Sequence, residues 1–206
     1  MRADIDRSRR ASGSSVWRRG RGKRLSTGKK TVLHTFGSQK GDGLVPFAGL
    51  VAMSGELYGT TSKGGAYYSA GPGTIFEIST SGKGYRVLYS FKGFPGDGAF
   101  PQGLIHVNGK LYGTTSQGGT GGGTGHCSLY NPKKMNGCGT VFSYNLASGV
   151  ETILYRFKGG KDGANPWAGL LSFGGDLYGT TLDGGAGKCK LPYGLEGCGT
   201  VFKVSP

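Results

Sequence analysis

Long apolar runs, helical periodicity and an apolar N-terminal segment are all missing from this 206-residue sequence. Since no stretch is long and apolar enough to cross a bilayer, we expect no transmembrane helix. The N-terminus lacks the apolar core of a secretory signal peptide, so no export signal is visible. No segment sustains the apolar period of about 3.6 residues that marks an amphipathic helix, so we expect no helices.

Groups suited to catalysis are also scarce. The three histidines, His34, His106 and His126, fall in unrelated places. The sequence contains no G-x-S-x-G nucleophile motif. Among its 11 acidic residues, no pair of unique carboxylates is arranged for acid–base chemistry. We therefore predict that the protein is not an enzyme.

Acidic residues are outnumbered by 25 basic ones, giving a net charge of +14. Residues 1–30 hold eleven basic and two acidic residues, a net of +9, which leaves +5 for residues 31–206. The low apolar content of residues 1–30 predicts a basic, disordered tail before a repeat domain at 31–206. No nucleic-acid partner is expected for the repeat domain, because no recognition fold accompanies its charge. A contact of the tail with nucleic acid or an anionic surface stays open.

Glycine, by contrast, is abundant, with 44 residues, and most glycines recur at fixed places in a repeated phrase. The phrase ends in LYGTT and occurs as GLVAMSGELYGTT from Gly49, GLIHVNGKLYGTT from Gly103 and GLLSFGGDLYGTT from Gly169. Each copy has two alternating apolar runs around a two-residue turn, which is Ser54-Gly55, Asn108-Gly109 or Gly174-Gly175. This pattern predicts a tight β-hairpin.

Two more strands recur with the hairpin, whose strands we name A (GLV-type) and B (LYGTT). After a glycine-rich B–C loop of variable length comes strand C, which opens with Gly-Thr (GTIF or GTVF). After a short turn comes strand D, the run VLYSF or ILYRF. Four sequential strands in a unit of about 50 residues predict an all-β fold of three four-stranded antiparallel, propeller-like blades. The predicted repeats are 49–91, 103–157 and 169–205.

The two ends of the repeat domain differ in strand count. Residues 31–36 (TVLHTF) resemble strand D, so we predict a lone outer strand there, available to complete the last blade, which has no D strand of its own. Propellers typically have four to eight blades, more than the three found here. A six-bladed homodimer, a truncated array without independent function and a β-trefoil therefore stay open as alternatives.

The four cysteines accompany the longer B–C loops. Cys127 and Cys138 lie in the second such loop, and Cys189 and Cys198 lie in the third. The shorter first loop has no cysteine and carries Pro72 in the equivalent place. We therefore predict disulfides Cys127–Cys138 and Cys189–Cys198, which form in an oxidising compartment. A metal site of these cysteines with His126 is the alternative, but the spacing is wider than in common zinc sites.

Each D strand is followed by a D–A loop that contains an aspartate before glycine, namely Asp42, Asp97 or Asp162. These carboxylates suit a cation such as calcium, whereas their repetition favours capping of the loop backbone. Because the A–B and C–D turns are short, the D–A and B–C loops share the opposite face, which we name the loop face. Binding commonly occurs on such an elaborated face. Calcium is the only cofactor left open, and no metal ligand set is assigned.

Two aromatic residues on the loop face are the strongest candidates for specific binding. Phe47 and Trp167 follow the prolines of the first and third D–A loops, where the middle unit has Gln102. Exposed aromatic side chains suit stacking against a sugar or burial in a protein partner. Packing between blades is the alternative role.

The stretch LYSFKGFPGDGAFPQGLIHVNGKLYGTTSQGG, followed by GTVF up to Phe142, resembles the GloVer tandem repeat of bacterial choice-of-anchor proteins. The resemblance covers residues 31–206. It implies an exported, surface-anchored or secreted repeat protein of propeller type, and it carries over no reaction, ligand or functional residue.

Three functional hypotheses follow. The first is a non-enzymatic extracellular or cell-surface protein that binds an unknown glycan or protein through its loop face. The second is a calcium-dependent hydrolase or lactonase of six blades, formed by dimerisation. The third is a truncated array without a function of its own, which would leave strand edges unpaired.

Overall fold

The strands of this chain are organised repeat by repeat. The structure is a computed structural model that describes residues 28–67, 71–120, 127, 137–190 and 196–206. In chain order the strands of the described residues are β1 (Gly43–Leu44), β2 (Val51–Met53), β3 (Glu56–Thr61), β4 (Lys63–Gly64), β5 (Thr74–Ser79), β6 (Arg86–Ser90), β7 (Gly98–Val107), β8 (Lys110–Gly118), β9 (Thr140–Asn145), β10 (Glu151–Arg156), β11 (Leu171–Phe173), β12 (Asp176–Thr181) and β13 (Thr200–Val204). A single 3₁₀ turn, Gly160–Asp162, is the only helical element among them.

Each repeat forms one antiparallel sheet with its strands in sequential order. Sheet 1 is β2-β3-β5-β6, sheet 2 is β7-β8-β9-β10 and sheet 3 is β11-β12-β13, while β1 and β4 form a small pair. The strands thus follow the predicted order A, B, C and D, and none of the sheets closes on itself. The prediction of an all-β, propeller-like fold is confirmed, and pairing within each repeat favours it over the β-trefoil.

The predicted A–B turns are tight hairpin turns. Both central residues have positive φ in the first turn (Ser54 52°, Gly55 86°) and in the second (Asn108 47°, Gly109 75°). This is the conformation of type I′ turns, whose twist matches that of the flanking strands. The third turn, Gly174-Gly175, has the same signs.

The leucine, tyrosine and glycine of the LYGTT phrase determine how a sheet packs against its neighbours, as the second copy shows. Leu111 is buried in the core between sheets 1 and 2, whereas Tyr112 points the other way into the core between sheets 2 and 3. Gly113 lies under the ring of Phe142, since an added Cβ would come within 2.7 Å of Phe142 Cζ. Strand alternation therefore gives each sheet two apolar faces.

The two threonines of LYGTT make different hydrogen bonds. Thr115 Oγ1 lies 2.8 Å from Oγ1 of Thr140 on strand C, in a fully buried pair. Thr114 Oγ1 instead donates to the carbonyl oxygen of Ala168 in the next repeat, at 3.0 Å. One threonine therefore joins strands within a sheet, and the other joins consecutive sheets.

Consecutive sheets also meet through pairs of phenylalanine rings. Phe91, which follows strand D of sheet 1, contacts Phe142 of sheet 2 edge to face, with ring centroids 5.1 Å apart. Phe157, after strand D of sheet 2, contacts Phe202 of sheet 3 in the same way at 5.0 Å. Such pairs add about 0.5–1.5 kcal/mol to the burial of their surface.

The segment predicted as a lone outer strand is not a strand, because residues 32–35 have no ladder partner among the described residues. Its side chains nevertheless occupy the position of a D strand. Phe36 contacts Phe76 of sheet 1 edge to face at 5.1 Å, and His34 stacks on Tyr85 with ring centroids 3.5 Å apart. The segment therefore packs on sheet 1 as Phe91 packs on sheet 2.

Substitution of Gly113 by alanine tests the contact between strand B and the ring above it. We expect Gly113→Ala to lower the free energy of unfolding by about 1–3 kcal/mol, because the new methyl group overlaps the Phe142 ring. Chemical denaturation would measure the loss, and Phe142→Leu should recover part of it in the double variant. Gly49→Ala is the control, since a Cβ at Gly49 meets no atom within 4 Å. An equal loss in the control would contradict the explanation.

Candidate functional site

The loop face is a structural unit, because the two kinds of loop contact each other. In the first repeat, the Gly65 amide donates to the Asp42 carbonyl at 2.9 Å, and in the second the Gly119 amide donates to the Asp97 carbonyl at 2.7 Å. Each B–C loop begins from a glycine that is hydrogen-bonded to the D–A loop before it. The two loops are thereby held side by side, as predicted.

The base of each B–C loop is closed by the same hydrogen bond, whatever the length of the loop. The amides of Gly73, Gly139 and Gly199 donate to the carbonyls of Gly64, Gly118 and Gly184 at 3.3, 3.3 and 3.0 Å. The short first loop and the two longer loops therefore share one closing contact at their base.

Asp97 shows what the repeated aspartates do in the structure. Its carboxylate accepts hydrogen bonds from the backbone amides of Lys92 (2.7 Å) and Gly98 (2.6 Å) and from the hydroxyl of Tyr89 (2.9 Å). Asp162 likewise accepts from the Lys158 amide at 2.8 Å and the Tyr155 hydroxyl at 2.6 Å. These carboxylates therefore hold the D–A loop closed onto the preceding strand D.

Asp42 has a richer set of partners. It accepts from the amides of Gly37 (2.8 Å) and Gly43 (2.7 Å), and also from His34 Nε2 (3.1 Å) and the Tyr85 hydroxyl. Burial alone would raise the pKa of Asp42, but the hydrogen bonds from Tyr85, His34 and Gly43 hold it below its ordinary value. Burial, followed by the bond to Asp42, raises the pKa of Tyr85.

A cation role for Asp42, Asp97 and Asp162 stays a prediction. Each carboxylate already accepts donors from its own loop. Within the described ranges, no group of three or more His, Cys, Asp or Glu side chains could hold a metal ion. His126, the histidine of the alternative metal site, lies outside the described residues.

Glu151 is a half-buried acid that the sequence did not single out. Its Oε1 atom is buried without a hydrogen-bond partner. Burial, and then the negative charge of Asp97, raise the pKa of Glu151 to about 7, although Arg156 and Lys92 oppose the shift. These groups line an open cavity of about 500 Å³ between the outer strands of sheets 1 and 2. Alignment of the repeats could have found Glu151, because it stands where Tyr85 stands in repeat 1.

Phe47 and Trp167 are both exposed, with 74% and 45% of their surfaces accessible. The chain segments that carry them converge, because a Cβ at Gly103 would lie 3.7 Å from Gly169 Cα and 4.0 Å from Ala48 Cβ. Gln102, which follows the proline of the middle D–A loop, is buried. Two aromatic side chains are therefore presented to solvent around the point where the A strands begin.

A second cavity, of about 720 Å³, opens on the loop face of repeat 1. The D–A loop lines one side of it, including Lys40 and Asp42, and the B–C loop lines the other from Gly64 to Ala66. It combines backbone amides with a lysine, which suits a polar ligand.

Both predicted disulfides are present. Cys127 and Cys138 have Cα atoms 4.7 Å apart, and Cys189 and Cys198 have Cα atoms 5.2 Å apart. The first bridge is buried in the core between sheets 2 and 3 and packs under Gly159, where a Cβ would lie 2.8 Å from Cys127 Sγ. The second bridge has an exposed half-cystine at Cys198.

The predicted basic tail falls almost wholly outside the described residues, because residues 1–27 are not among them. Among the residues that are described, no helix has the length and apolar character needed to cross a membrane.

The sequence pattern of the Gloeobacter/Verrucomicrobia repeat family matches residues 23–136, more than half of the chain. The matched segment contains sheet 1 and the first two strands of sheet 2. No curated protein matches the chain significantly. The chain belongs to the Gloeobacter/Verrucomicrobia repeat family, which confirms the resemblance seen in its sequence.

Removal of the two disulfides should have unequal effects. The double variant Cys127→Ala/Cys138→Ala is expected to lose more stability than the about 2–3 kcal/mol of loop-closure entropy, because its bridge also fills the core beside Gly159. The matched variant Cys189→Ala/Cys198→Ala should lose no more than that entropic share. Denaturation under oxidising conditions would compare the pairs, and equal losses would contradict the assignment of the first bridge to the core.

Glu151 should make stability depend on pH. Its pKa is about 7 in the folded protein, against 4.5 as its ordinary value, so the folded state holds a proton that the unfolded state releases in between. The stability that this provides is complete below pH 4.5 and is lost as the pH rises through 7. Glu151→Gln should remove this loss and raise the melting temperature at pH 8. Glu196→Gln, at an exposed carboxylate, is the control that should follow the wild-type curve.

Proposed function

We propose that this repeat protein is a non-enzymatic binding scaffold of the cell exterior or cell surface, which holds its ligand on the loop face through Phe47 and Trp167. The observation that carries the proposal is the exposure of these two aromatic side chains on converging segments. Phe47 and Trp167 each follow the proline of their D–A loop, so the exposure of both rings recurs at one position of the repeat.

The chemistry of the surroundings favours a carbohydrate. Aromatic rings stack on the apolar faces of sugars, while neighbouring polar groups bond their hydroxyls. The cavity of repeat 1 offers such groups at another place on the loop face, with Lys40 and Gly41 on its wall. Asp42, Asp97 and Asp162 would support this site by fixing the backbone of the D–A loops, which carry the aromatics at their ends.

A rigid framework supports a binding role. The D–A loops are fixed by carboxylate hydrogen bonds, and the ends of the B–C loops are joined by bonds between glycines. Ordering the D–A loops on binding therefore costs little entropy. The same bonds occupy the carboxylates of Asp42 and Asp97, which favours a structural role for them over acid–base catalysis.

The two disulfides support the proposed location. Disulfides persist in oxidising environments such as the periplasm and the cell exterior. A protein with both of its cysteine pairs bridged is suited to those compartments.

Binding can be tested with a glycan array followed by titration of soluble hexasaccharides such as cellohexaose and chitohexaose. In a Trp17→Phe background, Trp167 is the sole tryptophan, so its fluorescence should change on binding. We expect Trp167→Ala and Phe47→Ala each to weaken binding about 10- to 100-fold.

The matched control is Phe94→Ala, which removes an exposed aromatic outside the converging segments and should leave affinity unchanged. Variants are compared at equal mass and equal melting temperature, so that a folding defect is not mistaken for lost contact. A folded, oxidised sample that bound neither the arrayed glycans nor a protein in pull-down experiments would refute the proposal.

A further inference from the structure

We propose that the outward face of sheet 3 docks the N-terminal side of sheet 1 of a second copy of this chain, so that two copies join head to tail. We name the residues Leu171, Phe173 and Val201 the acceptor face, and residues 32–50 the donor segment. The inference is independent of the ligand-binding function.

The acceptor face repeats a surface that is buried elsewhere in the same chain. Val141 of sheet 2 is 0% exposed because it is covered at the junction with sheet 3. Ile75 of sheet 1 is equally buried against sheet 2. Val201 occupies the same place in sheet 3, directly after Gly-Thr, and is 81% exposed.

The neighbouring strand shows the same contrast. Ile105 and Val107 on strand A of sheet 2 pack into the core between sheets 2 and 3. Their counterparts in sheet 3 are Leu171 and Phe173, and both are exposed. Three large apolar side chains on one face mark an interaction surface.

The threonine hydrogen bond that links consecutive sheets shows the same contrast at sheet 3. Thr60 and Thr114 are buried, and they donate to the carbonyls of Gln102 (2.9 Å) and Ala168 (3.0 Å) in the next repeat. Thr180, the third member of the series, is exposed. The carbonyl equivalent to that of Ala168 belongs to Ala48, within the donor segment.

A contact between a glycine of one sheet and a proline of the next D–A loop also distinguishes sheet 2 from sheet 3. Pro166 of the third D–A loop rests on Gly139 of sheet 2, where a Cβ would lie 2.6 Å from the proline Cδ. The equivalent glycine of sheet 3 is Gly199, and the three atoms nearest to a Cβ there belong to Thr181 and Leu182 of its own repeat. The remaining D–A proline is Pro46, again in the donor segment.

The donor segment already has the conformation that docking requires. Phe36 packs on Phe76 as Phe91 packs on Phe142, with ring centroids 5.1 Å apart in both pairs. Residues 32–36 thus lie where strand D of a preceding sheet would lie. Leu50, at the start of the same surface, is 55% exposed.

The expected strand register follows from sheet 2. There, Tyr155 pairs with Val141, and Arg156 pairs with Thr140. By equivalence, His34 of the second copy should pair with Val201, and its Thr35 with Thr200. The ladder would give sheet 3 its fourth strand and cover the unpaired edge of β13.

A second copy of this chain is the occupant that the contacts specify, because the same chain supplies both the missing partners and the surfaces that lack them. Propellers typically have four to eight blades. The described residues of one copy form three repeat sheets, so two copies supply six. The pair would contain two identical head-to-tail contacts.

Light scattering on a size-exclusion column tests the association with the oxidised full chain. We expect twice the 21.4 kDa chain mass. Val201→Asp should give the mass of one chain and raise the dissociation constant on the order of 100-fold, because it would bury an unpaired charge. Val150→Asp is the matched control at an exposed valine outside both surfaces, and it should stay dimeric.

Mixing distinguishes a pair in which donor meets acceptor from a pair in which like surfaces meet. Leu50→Asp damages the donor side and should also give single chains. In an equimolar mixture with Val201→Asp, one contact of each mixed pair joins two unaltered surfaces, so a species of two chains should reappear. A wild-type protein with the mass of one chain, a dimeric Val201→Asp variant, or a mixture that stays at the mass of one chain would each overturn the proposal.

Discussion

The edge-to-face contact between two phenylalanine rings is the interaction on which the order of the sheets depends. One ring directly follows strand D of a sheet, and the other belongs to strand C of the next sheet. Phe91 and Phe142 are such a pair. The second ring also contacts the glycine of LYGTT, so three elements meet at one aromatic side chain. This contact fixes how far each sheet stands from its neighbour, and the threonine bonds and the Asp loops fit around that spacing. Stability in such a chain depends mainly on neighbouring sheets.

Features governed by short stretches of sequence could be predicted. The hairpins followed from two-residue turns, because Asn108-Gly109 and its counterparts accept positive φ. The disulfides followed from the joint appearance of two cysteines in each extended loop. The sheet order followed from the repeat itself, since sequential strands that alternate apolar residues pair with their neighbours. Each of these depends on one segment or one repeat, so reading the residues in order was sufficient.

Features governed by neighbouring repeats could not be predicted in the same way. The segment at 31–36 has the sequence of a strand, yet strand structure needs a ladder partner, and the described residues supply none. Glu151 looks like an ordinary strand residue until it is placed beside Asp97 and Tyr89, which lie more than fifty positions away in the chain. The repetition of the aspartates favoured capping over a cation site, but the distances to their own amides could be known only from the folded chain.

The glycine bond that closes the base of every B–C loop has a consequence for how such proteins diversify. Because the closing contact is the same for a short loop and for a long one, residues beyond it that make no contact with the core, unlike Cys127, can be added or exchanged without changing the packing of the sheets. The entropic cost of a longer loop grows only with the logarithm of its length, and a disulfide reduces that cost further. Selection can therefore alter the exposed loop sequences separately from the sheet residues that stabilise the fold. A protein engineer could exchange sequences at the same two glycines.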